Sequence, residues 1–212
     1  MQLQRINTKN HKTELWYDLM ELFTGLFLVG FLWAHLLFEG SMILGKDTFN
    51  SLSVALDENY LPFIGIPLTI IVFFTHFLTA GRRIPTRVQE QKVIWQHART
   101  IKHFNTWSWI VQIVTGMLIL ILGSIHMWTV VTGWPIEADT SAQRVQAGYL
   151  WFYIPLLLLA VVHAGIGLYR QFVKWGWFNR KPVGILISII SSVFILLGII
   201  TLFAFFRLGG IS

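Results

Sequence analysis

Four histidines lie in stretches of the chain that contain no Asp, Glu, Lys or Arg, and they are the residues best able to do chemistry. They are His35, His76, His126 and His163. A titratable ring is costly to bury in a hydrocarbon environment, so such residues usually face a protein interior and serve a function. Neutral imidazole ligates haem iron and other transition metals, and it can also relay protons. The four histidines therefore predict either a metal or haem site or a proton path.

Five uncharged stretches are long enough to cross a lipid bilayer, which takes about 20 apolar residues per helix. Of the 212 residues, 55% are hydrophobic and 12% are charged, whereas about a quarter of a soluble domain is charged. Continuous apolarity favours helices over the alternating strands of a membrane barrel. We predict an all-α integral membrane bundle that forms one domain over residues 1–212. Its spans are predicted near residues 22–44, 60–80, 107–131, 149–169 and 183–206.

The basic residues predict which helix ends face the cytoplasm, because short loops rich in Lys and Arg stay on that side. Thirteen of the 16 Lys and Arg residues fall in the N-terminal segment, the second-to-third loop and the fourth-to-fifth loop. Lys46, Arg144 and Arg207 fall on the other side. We predict a cytoplasmic N-terminus and an external C-terminus in the inner membrane, with no nucleic-acid partner. The thirteen are Arg5, Lys9, Lys12, Arg82, Arg83, Arg87, Lys92, Arg99, Lys102, Arg170, Lys174, Arg180 and Lys181.

The depth of each histidine along its span divides the four into two pairs. At ~1.5 Å per residue, His35 and His126 lie ~20 and ~28 Å from the cytoplasmic start of their spans. His76 and His163 lie ~7 and ~10 Å from the cytoplasmic end of theirs. Two levels with two histidines each is an arrangement that holds two stacked b-type haems. A mononuclear zinc or copper site would need three or four imidazoles at one depth.

Four segments of the sequence resemble the cytochrome b membrane subunit of fumarate reductases and succinate dehydrogenases, in the branch with five spans and two haems. The segments are WAHLLFEG, FTHFLTAGRRIP, GSIHMW and HAGIGLYRQFVKWGWF, and the likeness runs over about residues 22–178. The resemblance implies that His76 and His163 ligate the haem nearer the cytoplasm. It implies equally that His35 and His126 ligate the outer haem.

The resemblance also implies a place in a multi-subunit oxidoreductase of anaerobic respiration. This chain would be the quinol-oxidising subunit, taking electrons from menaquinol near the external face through two b haems. A cytoplasmic iron–sulfur subunit and a flavoprotein subunit would complete fumarate reduction, and the whole complex is a candidate dimer. The chain has no cysteine, so an iron–sulfur cluster must belong to another polypeptide. Succinate oxidation with quinone reduction, the reverse direction, stays open.

Haem propionates need cationic or hydrogen-bonding partners near the membrane surfaces. By resemblance the candidate for the inner haem is Lys174, with Trp107 or Trp109 beside it. Arg144 is the candidate for the outer haem. The alternative for both cations is a snorkelling or topology-setting charge.

Quinol oxidation needs a group that accepts protons. In the resembling family an acidic residue after the first span serves this purpose, and Asp57 and Glu58 are its candidates here. Glu39 is a separate candidate, one turn beyond His35 on the same face, which the resemblance does not support. Some members carry a Glu two residues before the fourth-span histidine, proposed to pass protons through the membrane. Val161 takes that position in this chain.

Two other classes of protein fit part of the pattern. The cytochrome b subunits of hydrogenases, formate dehydrogenases and nitrate reductases also combine several spans with two b haems, but different helices carry their ligands. A haem-free ion or solute transporter would use His and Glu as a proton relay. An absorption spectrum of the reduced protein separates the transporter from the haem proteins, and a co-purifying flavoprotein separates the haem proteins from one another.

Overall fold

The chain folds almost entirely into α-helices, as the sequence predicts. The computed structural model describes residues 11–101 and 103–210, and no β-strand occurs among them. A 3₁₀ turn, Ser41–Leu44, follows the first helix, and a π turn, Val145–Tyr149, precedes the seventh. The helices are α1 His11–Gly40, α2 Lys46–Glu58, α3 Leu61–Gly81, α4 Val88–Ile101, α5 Phe104–Thr132, α6 Ala138–Arg144, α7 Leu150–Lys174 and α8 Arg180–Gly209.

Five helical segments are long and apolar enough to cross a membrane, which confirms the predicted multi-pass architecture. They are Lys12–Leu44, Leu61–Gly81, Phe104–Thr132, Ala138–Lys174 and Arg180–Gly209. The first begins well before the predicted start at residue 22, because the preceding residues continue the helix with acidic side chains on one face. The cytoplasmic orientation of the N-terminus stays a prediction. Three of the basic residues on which it depends, Arg5, Lys9 and Lys102, lie outside the described residues.

Two connections between the spans, and the start of the fourth spanning segment, contain short helices where the sequence analysis describes only loops. These are α2, α4 and α6. Each is too polar or too short to span a bilayer, yet each buries one face against the bundle. In α4, for example, Ala98 is fully buried, and the Trp95 ring lies 5.6 Å from that of Trp107 in α5.

The histidine-bearing helices α1, α3, α5 and α7 pack around a shared interior. α1 contacts α3 and α7, while α5 contacts α7 and α3. α8 packs on the outside, against α1 and α7. Val161 faces this outer interface, where it is 3% exposed and packs with Leu36 and Leu157. The position that carries a carboxylate in some relatives is therefore an apolar packing position here.

The end of the bundle predicted to be external is closed by α2 and α6. Phe49 of α2 is completely buried and lies in a cluster with Met42, Ala138 and Phe205. The Asn50 side-chain oxygen accepts a hydrogen bond from the Ala138 amide at 2.9 Å. These contacts tie the loop after α1 to the loop after α5 and to the end of α8.

An ion pair strengthens this closure at the surface. Lys46, the first residue of α2, pairs with Asp139 of α6. The hydrogen bond to Asp139 raises the pKa of Lys46. Both side chains are well exposed, so solvent screens the pair, and the buried aromatic cluster carries most of the closure.

Replacing Phe49 by Ala should lower the free energy of unfolding by about 3–5 kcal/mol, since a fully buried aromatic ring leaves a cavity. Equilibrium unfolding of the purified protein in detergent measures the loss. Leu52→Ala is the matched control, because Leu52 lies on the same helix and is 39% exposed. Equal destabilisation by the two substitutions would contradict the assignment of Phe49 as the core of this closure.

Candidate functional site

The structure brings His35 of α1 and His126 of α5 together. Their ring centroids are 5.8 Å apart and their planes are inclined by 54°. An imidazole nitrogen binds a transition metal at about 2.0–2.1 Å, so two rings on opposite sides of one iron have centroids about 6 Å apart. The Nδ1 atom of His126 is buried without a hydrogen-bond partner among the described residues. The spacing of this outer pair fits an iron held between the two rings.

The other two histidines, His76 of α3 and His163 of α7, are each held by a threonine on a neighbouring helix. The His76 Nδ1 atom lies 2.9 Å from the Thr24 hydroxyl of α1. The His163 Nδ1 atom lies 3.0 Å from the Thr115 hydroxyl of α5. The two rings are also within electrostatic range of each other. The Nδ1 atom of each ring is therefore fixed by the protein, and the Nε2 atom of His163 lies 3.2 Å from the Gln112 side-chain nitrogen.

No group of three or more His, Asp or Glu side chains converges anywhere in the described part of the chain. A mononuclear site with three or four protein ligands is therefore not built there. Two pairs of neutral imidazoles match instead the donor set that two bis-histidine haems would need. The residues present fit that group, and the assignment of each histidine to a haem stays a prediction.

A cluster of charges lies at the predicted cytoplasmic end, formed by Asp18, Glu21, Arg82, Arg83 and Lys174; we call it the inner charge cluster. The Lys174 ammonium lies 2.7 Å from Asp18. Arg82 lies 2.8 Å from Asp18 and 3.2 Å from Glu21, and Arg83 pairs with both carboxylates. The Glu14 carboxylate also lies 3.9 Å from Arg82, so Lys174, the predicted propionate partner, belongs to a group of three cations and three carboxylates.

The sequence analysis did not identify Asp18 and Glu21 as members of the site. Their side chains are 22% and 13% exposed, and Glu21 also accepts a hydrogen bond from Gln171 at 3.2 Å. The available signal was their spacing, because residues three apart share one face of a helix. Thr24, three residues after Glu21, lies on the same face of α1.

The two tryptophans predicted to accompany Lys174 are Trp107 and Trp109. Both are partly buried near the start of α5. Trp107 packs against Trp95, so its indole fastens α4 to the bundle. Ser108 lies between the two tryptophans and is 5% exposed. The Arg170 guanidinium lies 3.5 Å from the Ser108 hydroxyl and donates a hydrogen bond to the Asn105 carbonyl at 3.2 Å. Arg170 adds a further cation on this side of the bundle that the sequence analysis did not assign to the site.

Tyr153 of α7 connects the polar groups around the outer histidine pair. Its ring centroid lies 5.8 Å from that of His126. Arg144 is within electrostatic range of both Tyr153 and His126, and Glu39 is within range of Tyr153. The structure thus brings the predicted outer propionate partner, Arg144, and the separate acid candidate, Glu39, to the same region. Tyr153 itself was missed, because one tyrosine in a span rich in aromatic residues carries no distinguishing pattern.

The two neighbouring acids at the end of α2 differ in their surroundings. Asp57 is partly buried, and its Oδ1 atom is buried without a hydrogen-bond partner among the described residues. Glu58 is exposed. A buried carboxylate oxygen without a partner is costly, and this distinguishes Asp57 from its exposed neighbour.

The fold and the site together define a multi-pass, all-helical membrane protein. Four of its packed helices each carry one histidine that faces a neighbouring helix. The profile of the family described as succinate dehydrogenase/fumarate reductase transmembrane subunit matches residues 88–206. The chain belongs to that family. The matched region contains α4 to α8, including His126 and His163.

Characterised relatives extend the similarity over nearly the whole chain. The fumarate reductase cytochrome b subunit of Wolinella succinogenes is 27% identical over 215 residues, covering 93% of this chain and 82% of the relative. The fumarate reductase cytochrome b subunits of two Helicobacter pylori strains are 29% identical over 205 residues, covering 91% of this chain and 80% of each relative. These alignments include the helices that lie outside the family match.

Replacing Asp18 by Asn should destabilise the protein, because three cations of the inner charge cluster lose a shared counter-ion. The groups are partly exposed, so we expect a loss of about 1–2 kcal/mol, between the values for exposed and buried ion pairs. Thermal unfolding in detergent at low and high salt measures it, and high salt should reduce the difference from wild type. Glu90→Gln on the exposed face of α4 is the control, and an equal effect of both variants would count against the cluster.

Proposed function

We propose that this chain is the membrane anchor and electron-transfer subunit of a quinol:fumarate reductase. The observation that carries the proposal is the placement of one histidine on each of four packed helices, with one pair 5.8 Å apart and the other pair braced by threonines. Similarity to fumarate reductase cytochrome b subunits over more than 90% of the chain supports it. The whole chain would form one di-haem domain.

The two histidine pairs would hold two b-type haems at two heights in the membrane. His35 and His126 would ligate the outer haem, and His76 and His163 the inner one. Each haem, when bound, supplies a one-electron carrier between a quinol and the iron–sulfur partner. The protein contributes neutral imidazoles that are fixed by the bundle, together with an interior from which water is largely excluded.

Charged residues at both ends of the bundle are suited to receive haem propionates. At the inner end Arg82, Arg83 and Lys174 lie together among the carboxylates of Glu14, Asp18 and Glu21, and Lys174 would pair with a propionate of the inner haem. Trp107 and Trp109 are the neighbouring indole candidates there. At the outer end Arg144 lies beside His126 and would play the same part.

Menaquinol oxidation near the external face requires an acceptor for two protons. Asp57 is the candidate we favour, because one of its carboxylate oxygens is buried and unpaired. Glu58 is solvated. Glu39 is the second candidate, since it lies near Tyr153 and therefore near the outer histidine pair. Val161 offers no titratable group on α7, so this chain lacks that acid for returning protons across the membrane.

The partners would be an iron–sulfur subunit and a flavoprotein subunit that reduces fumarate on the cytoplasmic side. The chain itself would carry no fumarate chemistry. The basic residues at that end offer a surface for docking. The family also includes succinate dehydrogenase subunits, so the reverse reaction, succinate oxidation with quinone reduction, is the alternative that the test must separate.

Haem content tests the proposal directly. The purified complex should contain about two b-type haems per chain by reduced-minus-oxidised absorption and haem extraction. His76→Ala or His163→Ala should remove the inner haem alone, and His35→Ala or His126→Ala the outer haem alone. His97→Ala, on the exposed face of α4, is the control and should keep both. A colourless preparation, or haem retention by all four variants, overturns the proposal.

Asp57→Asn should lower the rate of menaquinol oxidation by about 10²-fold or more, since a positioned proton acceptor typically contributes 10²–10⁴-fold. Fumarate reduction driven by a reduced viologen dye, which bypasses the quinol, should stay at the wild-type rate. Glu58→Gln is the matched control, and Glu39→Gln tests the second candidate. Full quinol oxidation by Asp57→Asn would exclude Asp57, and faster succinate oxidation than fumarate reduction in the wild type would favour the reverse direction.

A further inference from the structure

A Thr–Gly dipeptide occurs on each of two helices, at the place where a histidine of a neighbouring helix approaches. Thr24 and Gly25 of α1 face His76 of α3. The corresponding pair on α5, Thr115 and Gly116, faces His163 of α7. The four residues thus form two equivalent seats for the inner histidine pair.

The hydroxyl groups of the two threonines fix the tautomer of the imidazoles. Thr24 donates its hydroxyl hydrogen to the Met20 carbonyl at 2.6 Å, and Thr115 donates its own to the Val111 carbonyl at 2.7 Å. A hydroxyl has one hydrogen to give, so each oxygen can only accept from the histidine Nδ1 atom. Both imidazoles therefore carry their proton on Nδ1 and present a lone pair on Nε2.

A neighbouring amide agrees with this assignment for the histidine of α7. The Gln112 side-chain nitrogen lies 3.2 Å from the Nε2 atom of His163. An amide nitrogen can only donate, so Nε2 is the accepting atom. The nitrogen that carries the lone pair is the one that a metal ion requires, so iron would displace the Gln112 amide from it.

The glycine of each dipeptide provides the space that the imidazole occupies. A Cβ atom on Gly25 would lie 3.2 Å from the Cε1 atom of His76, and one on Gly116 would lie 3.0 Å from the Cε1 atom of His163. Both distances are shorter than ordinary van der Waals contact. A side chain at either position would displace the ring from its threonine.

The two seats belong to a repeated pattern in the sequence. TGLFLVGFLWAH ends at His35 and TGMLILILGSIH ends at His126, so each Thr lies 11 residues before an outer histidine. Eleven residues make about three helical turns, which returns the chain to the same helix face. α1 and α5 are therefore equivalent, and each supplies one outer histidine and one seat for an inner histidine.

We propose that Thr24 and Thr115 are positioning residues for the inner haem. Resting on the proposed function of His76 and His163, the two hydroxyls hold Nε2 available for iron and strengthen each imidazole as an electron donor. When the ring nitrogen that does not bind the metal donates a hydrogen bond, the ligating histidine becomes more basic and the reduction potential of the metal changes. Stronger donation stabilises the oxidised iron, so the two threonines lower the reduction potential of the inner haem.

The outer histidine His126 has no equivalent brace in the described part of the chain, so the outer haem supplies an internal reference. The Nδ1 atom of His126 has no hydrogen-bond partner among the described residues. Removing either threonine hydroxyl should therefore affect the inner haem and leave the outer haem unchanged.

The test is a redox titration of the whole purified complex, followed by absorption spectroscopy, for Thr24→Val and Thr115→Val. His76→Ala identifies which spectral component is the inner haem. Each Val variant should shift the inner reduction equilibrium toward the reduced form by about tenfold, which is about 59 mV for one electron. Thr24→Ser and Thr115→Ser keep the hydroxyl and should restore the wild-type potential. Thr79→Val is the control, because Thr79 lies one turn beyond His76 and its hydroxyl donates to the backbone carbonyls of Thr75 and His76, not to an imidazole nitrogen.

Several results are decisive. Loss of the inner haem from a Val variant but not from its Ser counterpart also supports the inference, because the hydroxyl is then needed for ligation. Unchanged potentials in both Val variants, equal shifts in both haems, or identical behaviour of Val and Ser variants overturn it while leaving the di-haem proposal intact. A wild-type complex without haem overturns the proposed function and this inference together.

Discussion

The arrangement of this protein depends on the cost of placing imidazole rings in a bundle that is otherwise apolar. A histidine nitrogen inside such a bundle loses its hydrogen bonds with water, and that loss is costly unless another group replaces them. Thr24 and Thr115 supply the replacement for the inner pair. Each hydroxyl reaches across a helix boundary, so the partnership that satisfies the ring also fixes which helices are neighbours.

The same constraint explains why four helices surround the histidines while the fifth spanning helix only packs against that group. α1, α3, α5 and α7 share the interior that contains the histidines, and each of their pairwise approaches involves a small residue or a polar contact. α8 contributes no histidine and packs through apolar contacts such as Phe194 with Trp33, whose rings are 5.5 Å apart. Helices in membranes associate through close packing and interhelical hydrogen bonds. Here the hydrogen bonds to the histidines join the histidine-bearing helices, and close apolar packing holds α8 against them.

Charge is confined to the two ends of the bundle and has a different composition at each. The inner charge cluster joins α1, α3 and α7 through Asp18, which contacts Arg82, Arg83 and Lys174. The other end relies on the buried ring of Phe49, with one exposed ion pair. A charge cluster beside the inner histidines and a compact cap over the outer ones suit a chain that would exchange electrons with a partner at one end and protons with solvent at the other.

The sequence by itself determined the all-α membrane fold, the five spans and the separation of four histidines into two levels, because hydropathy and helical rise are local properties. It did not reveal that Lys174 meets Asp18 or that Thr24 meets His76, and the repeated TG pattern went unrecognised until both seats were visible. The spans are apolar on nearly every face, so no polar stripe marks the side that turns inward. Only the packing of the helices decided their rotation, and with it the partner of every histidine.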